Sequence, residues 1–268
     1  MAVVAIGNEL LSGKVRDRNV HYLARELRAL GATLTRVVLC PDELPAIVDA
    51  LHWAAAHAAT VITTGGVGPT HDDVTLAAVA AYLGVDRARD PGFAAAIARY
   101  FGARANDDVL AMADVPRGAT LLRPVRDFLP IVVAGPIHVF PGEPGALVRL
   151  FDAWKEALRQ PPFWLLRLEL DADEGELSPL LRRLAAAHPE VDVGSYPRFD
   201  AGAPYRLLVT VEAKDEPAVA RAGAALRAAV EGAVGPAAVL RVDGPRPPAT
   251  DSAEHAEPAR ARAGEHSP

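Results

Sequence analysis

Short apolar runs and stretches of helical spacing alternate along the first 160 residues of this chain. Residues 3–6 are apolar throughout and stop at Gly7, which predicts a buried strand. Residues 19–30 set Leu23, Leu27 and Leu30 at helical spacing, with Gly31 as the stop. A strand over 34–39 ends at the turn Pro41-Asp42, a helix covers 44–57 and a third strand covers 61–64. A glycine-rich turn then leads into a helix over 74–83 that closes at Gly84. Further helices are predicted from Asp90-Pro91-Gly92 to about residue 103 and over 107–113. Residues 131–134 and 137–140 read as short strands joined through Gly135-Pro136. Pro141-Gly142-Glu143-Pro144-Gly145 opens a helix over 146–158. Such alternation predicts an α/β fold, a doubly wound parallel sheet covered by helices on both faces.

Gln160-Pro161-Pro162 breaks the pattern and marks a boundary. Beyond it, strands over 164–170, 191–193 and 207–211 and helices over 177–187 and 217–230 give a small βαββα unit. From residue 243 onward Pro, Ala, Glu and Arg dominate, which predicts a disordered tail. The expected division is therefore 1–160, 161–242 and 243–268.

Composition narrows the setting. Half of the 268 residues are hydrophobic, enough for a sizeable core without staples. The one cysteine, Cys40, excludes an internal disulfide and reads as a small buried residue. The N-terminus lacks a basic region and a long apolar stretch, so no secretory signal is expected. No run approaches the ~18 apolar residues of a membrane helix. These points predict a cytoplasmic protein with no membrane partner. A formal charge of −6 argues against nucleic acid as a partner.

The chemistry concentrates in Thr63-Thr64-Gly65-Gly66-Val67-Gly68-Pro69-Thr70-His71-Asp72-Asp73. Gly65, Gly66 and Gly68, with Pro69 and Thr70, lie between a strand and a helix, where close-packed backbone amides cradle phosphate. Asp72 and Asp73 offer the hard oxygens that a divalent cation such as Mg²⁺ prefers. Thr70 and Asp73 also have the spacing of a capping box, so Asp73 is either a cap or a ligand. Gly7 to Gly13, Lys14, Asp17 and Asn19 follow the first strand at the same sheet edge, and Pro141, Gly142 and Glu143 follow a later one. Ligands in open α/β sheets sit at the carboxyl ends of strands, so the three segments are expected to face one crevice. Glu9 has no capping role and is a ligand candidate. Asn19 is expected to cap the helix that it begins. His71 is placed to act as an acid or base. The glycine spacing matches neither the P-loop nor the dinucleotide fingerprint.

Ala5-Ile6-Gly7-Asn8-Glu9-Leu10-Leu11-Ser12-Gly13, Asp17-Arg18-Asn19 and the Thr64–Thr75 segment resemble the molybdopterin-binding (MoaB/MogA-like) domain. The nearest versions are those of the CinA (competence/damage-inducible protein) family and of the N-terminal region of eukaryotic FAD synthase. Phe140-Pro141-Gly142 and Gly194-Ser195-Tyr196-Pro197 are similar to the same group. The resemblance implies a three-layer α/β/α domain with a mostly parallel sheet, followed by a small α/β domain, and self-association into a dimer or trimer. It also implies a small-molecule ligand, a nucleotide or molybdopterin.

The implied activity is metal-dependent hydrolysis of a nucleotide pyrophosphate such as ADP-ribose or FAD. In that role Asp72 and Asp73 are catalytic and, with Glu9, hold the metal. The phosphates fall to Gly7, Gly13, Lys14, Asp17, Asn19, the Gly65–Thr70 turn and Pro141 to Glu143. The alternative is a binding protein that holds molybdopterin or a nucleotide without turnover. Three departures from the family pattern bear on the choice. Neither the deamidase domain of CinA proteins nor the adenylyltransferase domain of FAD synthase is expected here. Ala146 stands where relatives carry a glutamate, with Glu143 the nearest substitute. Arg123-Pro124-Val125 stands where many relatives have an Asn-x-x-Gly turn.

Overall fold

The computed structural model describes residues 1–200 and 202–247. The chain divides into two compact units, Met1–Pro162 and a second from Phe163 onward. The first runs β1 (Ala2–Ile6), α1 (Asn8–Leu11), α2 (Asn19–Ala29), β2 (Arg36–Cys40), α3 (Leu44–His57), β3 (Val61–Thr64), α4 (Thr75–Leu83) and β4 (Arg87–Arg89). It continues through α5 (Pro91–Phe101), α6 (Asp107–Ala111), β5 (Asp114–Pro116), β6 (Thr120–Leu122), β7 (Ile131–Ala134), β8 (Ile137–Phe140) and α7 (Pro144–Trp154). A six-stranded sheet has the order β2-β1-β3-β8-β7-β6. Its first four strands are parallel, β7 runs antiparallel to β8, and β6 runs antiparallel to β7. The fold class is the expected one, a mostly parallel sheet between two helical layers.

Strand β1 shows why the layers form. All five of its residues are buried, and successive side chains go to opposite faces. Ala2, Val4 and Ile6 join Ile47, Leu51, Val79 and Ile97, the apolar face of α3, α4 and α5. Val3 goes to the other side, with Leu23, Leu27, Leu147 and Phe151 from α2 and α7. A continuous apolar run is what a strand needs when both of its faces are covered. Gly84 ends α4 in the left-handed conformation at φ 66°, as the sequence predicts.

Four short elements depart from the sequence reading. Residues 8–11 form one helical turn rather than loop, and β4, β5 and β6 are three-residue strands, too short to leave a periodicity.

The second unit runs β9 (Trp164–Leu170), α8 (Glu174–Ala187), β10 (Asp192–Pro197), β11 (Leu207–Ala213), α9 (Glu216–Val234) and β12 (Val239–Arg246). Its sheet is wholly antiparallel, in the order β10-β11-β9-β12, the split βαβ arrangement. The expected βαββα unit thus lacks its last strand. Residues 243–246, expected in the tail, belong to β12, and residues 248–268 lie outside the described residues. Leu166, Leu168 and Leu170 on one face of β9 pack with Leu177, Leu226 and Val230. No helix among the described residues is long and apolar enough to cross a membrane.

Phe151 is fully buried and packs edge-on against Tyr22, with ring centroids 5.9 Å apart. Phe151→Ala is expected to lower the stability of the first unit by about 3–5 kcal/mol. Urea unfolding followed by tryptophan fluorescence, with Trp154 6.2 Å from that ring, reads the loss.

Candidate functional site

Three loops converge at the carboxyl ends of β1, β3 and β8, where the chain has left β1 toward β2 and then crossed back to β3. That reversal is the topological switch point, at which the crevice of an open α/β sheet lies. Glycine sets the approach. Gly65 has φ 108°, and a Cβ there would stand 2.1 Å from the Ile6 carbonyl oxygen. A Cβ on Gly142 would lie 3.0 Å from the Gly65 Cα. Behind the loops, the Asn19 side-chain amide donates to the Thr64 hydroxyl at 2.9 Å and to the Gly142 carbonyl at 2.7 Å. The Thr64 hydroxyl in turn donates to the Pro141 carbonyl at 2.9 Å. Asn19 is therefore no cap but the pin between two loops. Asp17 does the capping and accepts from the Val20 amide.

The glycine turn is tied to α4 from below. Thr75, fully buried, donates its hydroxyl to the Gly65 carbonyl at 2.8 Å and its amide to the Gly66 carbonyl at 3.0 Å. No side chain caps α4, so its positive end carries no built-in anion. The expected capping box is half formed, but in a turn ahead of the helix. Asp73 accepts the Thr70 amide at 2.8 Å, five residues before α4 begins.

The acids gather at one side. The Thr70 hydroxyl lies 2.6 Å from Asp72 Oδ1 and 2.5 Å from Asp73 Oδ2. That hydroxyl holds the Asp72 carboxyl below its ordinary range, and the His71 ring adds to the effect. Asp42 accepts the Asn8 amide at 2.7 Å. Burial raises the Asp42 pKa, the Asn8 hydrogen bond opposes the rise, and the charges of Glu9, Asp72 and Asp73 add to it. Among the described residues no group of three or more His, Cys, Asp or Glu side chains is placed to hold a metal alone. Cys40, beside Asp42, is buried, and desolvation pushes its thiol up to about 11, so it is no nucleophile.

A cleft of about 270 Å³ opens over the turn, lined by Gly66, Gly68, Pro69, Thr70, His71 and Asp73. Arg87 and Asp108 complete it from β4 and α6. Lys14 and Gly13 are exposed, and Glu143 is committed as the cap of α7, accepting the Gly145 and Ala146 amides at 2.8 and 2.6 Å. The sequence reading missed Asp42 and Arg87. Asp42 follows β2 directly, so the rule that singled out Gly7 after β1 also reaches it. Arg87, an exposed arginine on a three-residue strand, left no signal.

Residues 2–160 match the family described as "Probable molybdopterin binding domain". The chain belongs to that molybdopterin-binding domain family. Residues 162–237 match a second family, the middle domain of FAD synthase. A protein of Pyrobaculum aerophilum is 33% identical over 216 residues, covering 75% of this chain and 81% of that relative. A CinA-like protein of a Mycobacterium species is 36% identical over 172 residues, and the match spans only 40% of that longer protein. The crystal structure of the protein CinA from Thermoplasma acidophilum superposes with a TM-score of 0.55 at 27% identity. It is covered to 96%, against 59% of this chain.

Asn19→Ala is expected to cost about 1–3 kcal/mol, because it leaves the Gly142 carbonyl without its buried donor. Urea unfolding measures it. Between the ordinary carboxyl value of 3.8 and its raised folded value, Asp42 binds more protons in the folded protein than in the unfolded chain. Its effect therefore lowers stability as pH rises through that window. Asp42→Asn is expected to be more stable than the natural protein near pH 7, with the gap closing below 3.8. Unfolding midpoints at both pH values test the sign.

Proposed function

We propose that the chain hydrolyses the pyrophosphate of a nucleotide, such as ADP-ribose or FAD, with the help of a divalent cation. The observation that carries this reading is the shared hydroxyl of Thr70. A threonine hydroxyl has one hydrogen, yet carboxylate oxygens of Asp72 and Asp73 both stand within hydrogen-bond distance of it. Asp73 Oδ2 also accepts the Thr70 amide, so one threonine holds both carboxylates side by side, where a cation can take their remaining lone pairs. Mg²⁺ suits this donor set, because it keeps several waters and takes one or two carboxylates together with substrate phosphates. When bound, such an ion neutralises phosphate charge and acidifies water.

The chain's own residues supply the rest. The Gly66–Gly68 backbone and the uncapped start of α4 receive phosphate oxygens. Arg87 faces them across the cleft and stabilises charge that develops on the leaving phosphate. His71, on the same wall, offers an imidazole for proton transfer. Glu9 and Asp42 keep the local field negative, which favours a cation over a bare anion in the absence of metal. The family resemblance further supports self-association.

One observation favours the rival reading, in which a pterin or nucleotide is held without turnover. The carboxylate nearest to position 146 is Glu143, and it is occupied as a helix cap. Incubation with ADP-ribose and with FAD separates the two readings. AMP release that needs added Mg²⁺, stops with chelator and falls about a hundredfold or more in Asp72→Ala is the expected result. Ligand retention with no AMP under any metal assigns the chain to the rival reading.

A further inference from the structure

Strand β2 is one free edge of the first unit's sheet. It pairs with β1 alone, residue for residue and without a bulge. Its sequence, Arg-Val-Val-Leu-Cys, holds neither proline nor lysine, the usual devices that keep an edge from pairing. The Thr35 amide donates to the Met1 carbonyl at 2.8 Å. Alternation along the strand then turns the backbone groups of Val37 and Leu39 toward β1 and those of Arg36 and Val38 outward. Val37 is 46% exposed and Leu39 42%, so the edge is apolar as well as open.

Apolar surface continues around that edge. Helices α1 and α3 pack against β2; Leu11 and, just after α1, Val15 are exposed, as are Leu44 and Trp53 on α3. With Val37 and Leu39 these are six of the twelve large apolar residues that stand exposed among the described residues. Residues 248–268 contain no large apolar side chain, so the chain's own end offers nothing to cover the patch. Charge selects the occupant. Arg36 opens the strand, and Asp42 and the exposed Glu43 follow its last residue. A second β2 laid alongside in parallel sets Arg36 against Arg36. Laid antiparallel, it turns the basic end of each strand toward the acidic end of the other.

We propose that β2 is a self-association edge, at which two copies of this chain join their sheets antiparallel across a two-fold axis at Val38. This gives the self-association proposed above a surface, and it holds whether or not the crevice hydrolyses a ligand. On the axis, the outward amide and carbonyl of Val38 exchange hydrogen bonds with those of the partner subunit's Val38. On one face Val37 meets the partner subunit's Leu39, and Leu39 meets the partner's Val37. On the other, Trp53 lies by the amino end of β2, where Arg36 stands 5.9 Å from its ring centroid. The two-fold brings Trp53 toward the partner's Leu44, which lies by the carboxyl end. Such a contact uses the same patch on both copies and closes at two.

Analytical ultracentrifugation of the full chain tests this, and a dimer is the expected species. Leu39→Lys sets a charge against the partner's Val37 and is expected to weaken the dimer about tenfold or more, with circular dichroism unchanged. Val38→Pro removes an amide hydrogen that points away from β1, a loss that an edge strand tolerates, and is expected to give a folded monomer. Val38→Cys in a Cys40→Ala background is expected to link two copies by a disulfide under oxidised glutathione. An antiparallel pair on the axis sets its Cα atoms about 5.5 Å apart, inside the disulfide range. A natural chain that stays monomeric at about 100 μM overturns the inference. So does a trimer, because one edge pairing with itself stops at two copies. A dimer that Leu39→Lys and Val38→Pro both leave intact overturns it too, and assigns self-association to another face.

Discussion

Everything at the candidate site depends on how closely three strand ends approach one another. The Ile6 carbonyl, the Gly65 backbone and Gly142 occupy space in which no Cβ fits. That crowding turns three loops, spread over more than 130 residues of sequence, into one surface. Asn19 holds it from inside, as its amide bridges Thr64 and the Gly142 carbonyl beside the last β3–β8 ladder pair, Thr64 with Phe140. Loops pinned in this way have little conformational freedom left to lose on binding.

The same arrangement explains the electrostatic character of the crevice. Parallel strands deliver their carboxyl ends to one edge, and the residues that follow each strand collect there whatever their charge. Glu9 follows β1, Asp42 follows β2, and Asp72 and Asp73 follow β3 by way of the turn. Four acids at one edge repel one another, and that repulsion adds to the burial that raises the pKa of Asp42. Arg87 on β4 is the cation that reaches the cleft from the far side. Arg87, Asp73 and Asp108 thus give one cleft both signs of charge.

Much of this is legible in the sequence. The strand over 61–64 and the helix over 44–57 coincide with β3 and α3, because four successive β-branched residues favour a strand and Ile47, Ala50, Leu51 and Ala54 share one buried helix face. What stayed hidden was decided by contacts distant in sequence. Asn19 looked like a cap because its partners are 45 and 123 residues away. Thr70 and Asp73 have capping-box spacing but close a turn of their own, since Thr75 anchors the helix start to the glycine carbonyls instead. Strand β12 carries Gly244 and Pro245, residues that read as tail. It is an edge strand, where a missing amide hydrogen costs little. Arg87 lies on a strand too short to predict.

Strand β12 also has a consequence for how the second unit comes into being. It pairs with β9, so the first and last strands of the unit lie side by side in the finished sheet. Contacts of such long sequence separation form late and slowly. During synthesis β9 emerges first and waits, one edge bare, until the whole of α9 has followed it out of the ribosome. A bare strand edge invites pairing with another chain. The unit is thus exposed to mispairing for as long as its own last strand is unmade, and translation speed across residues 171–246 sets the length of that interval.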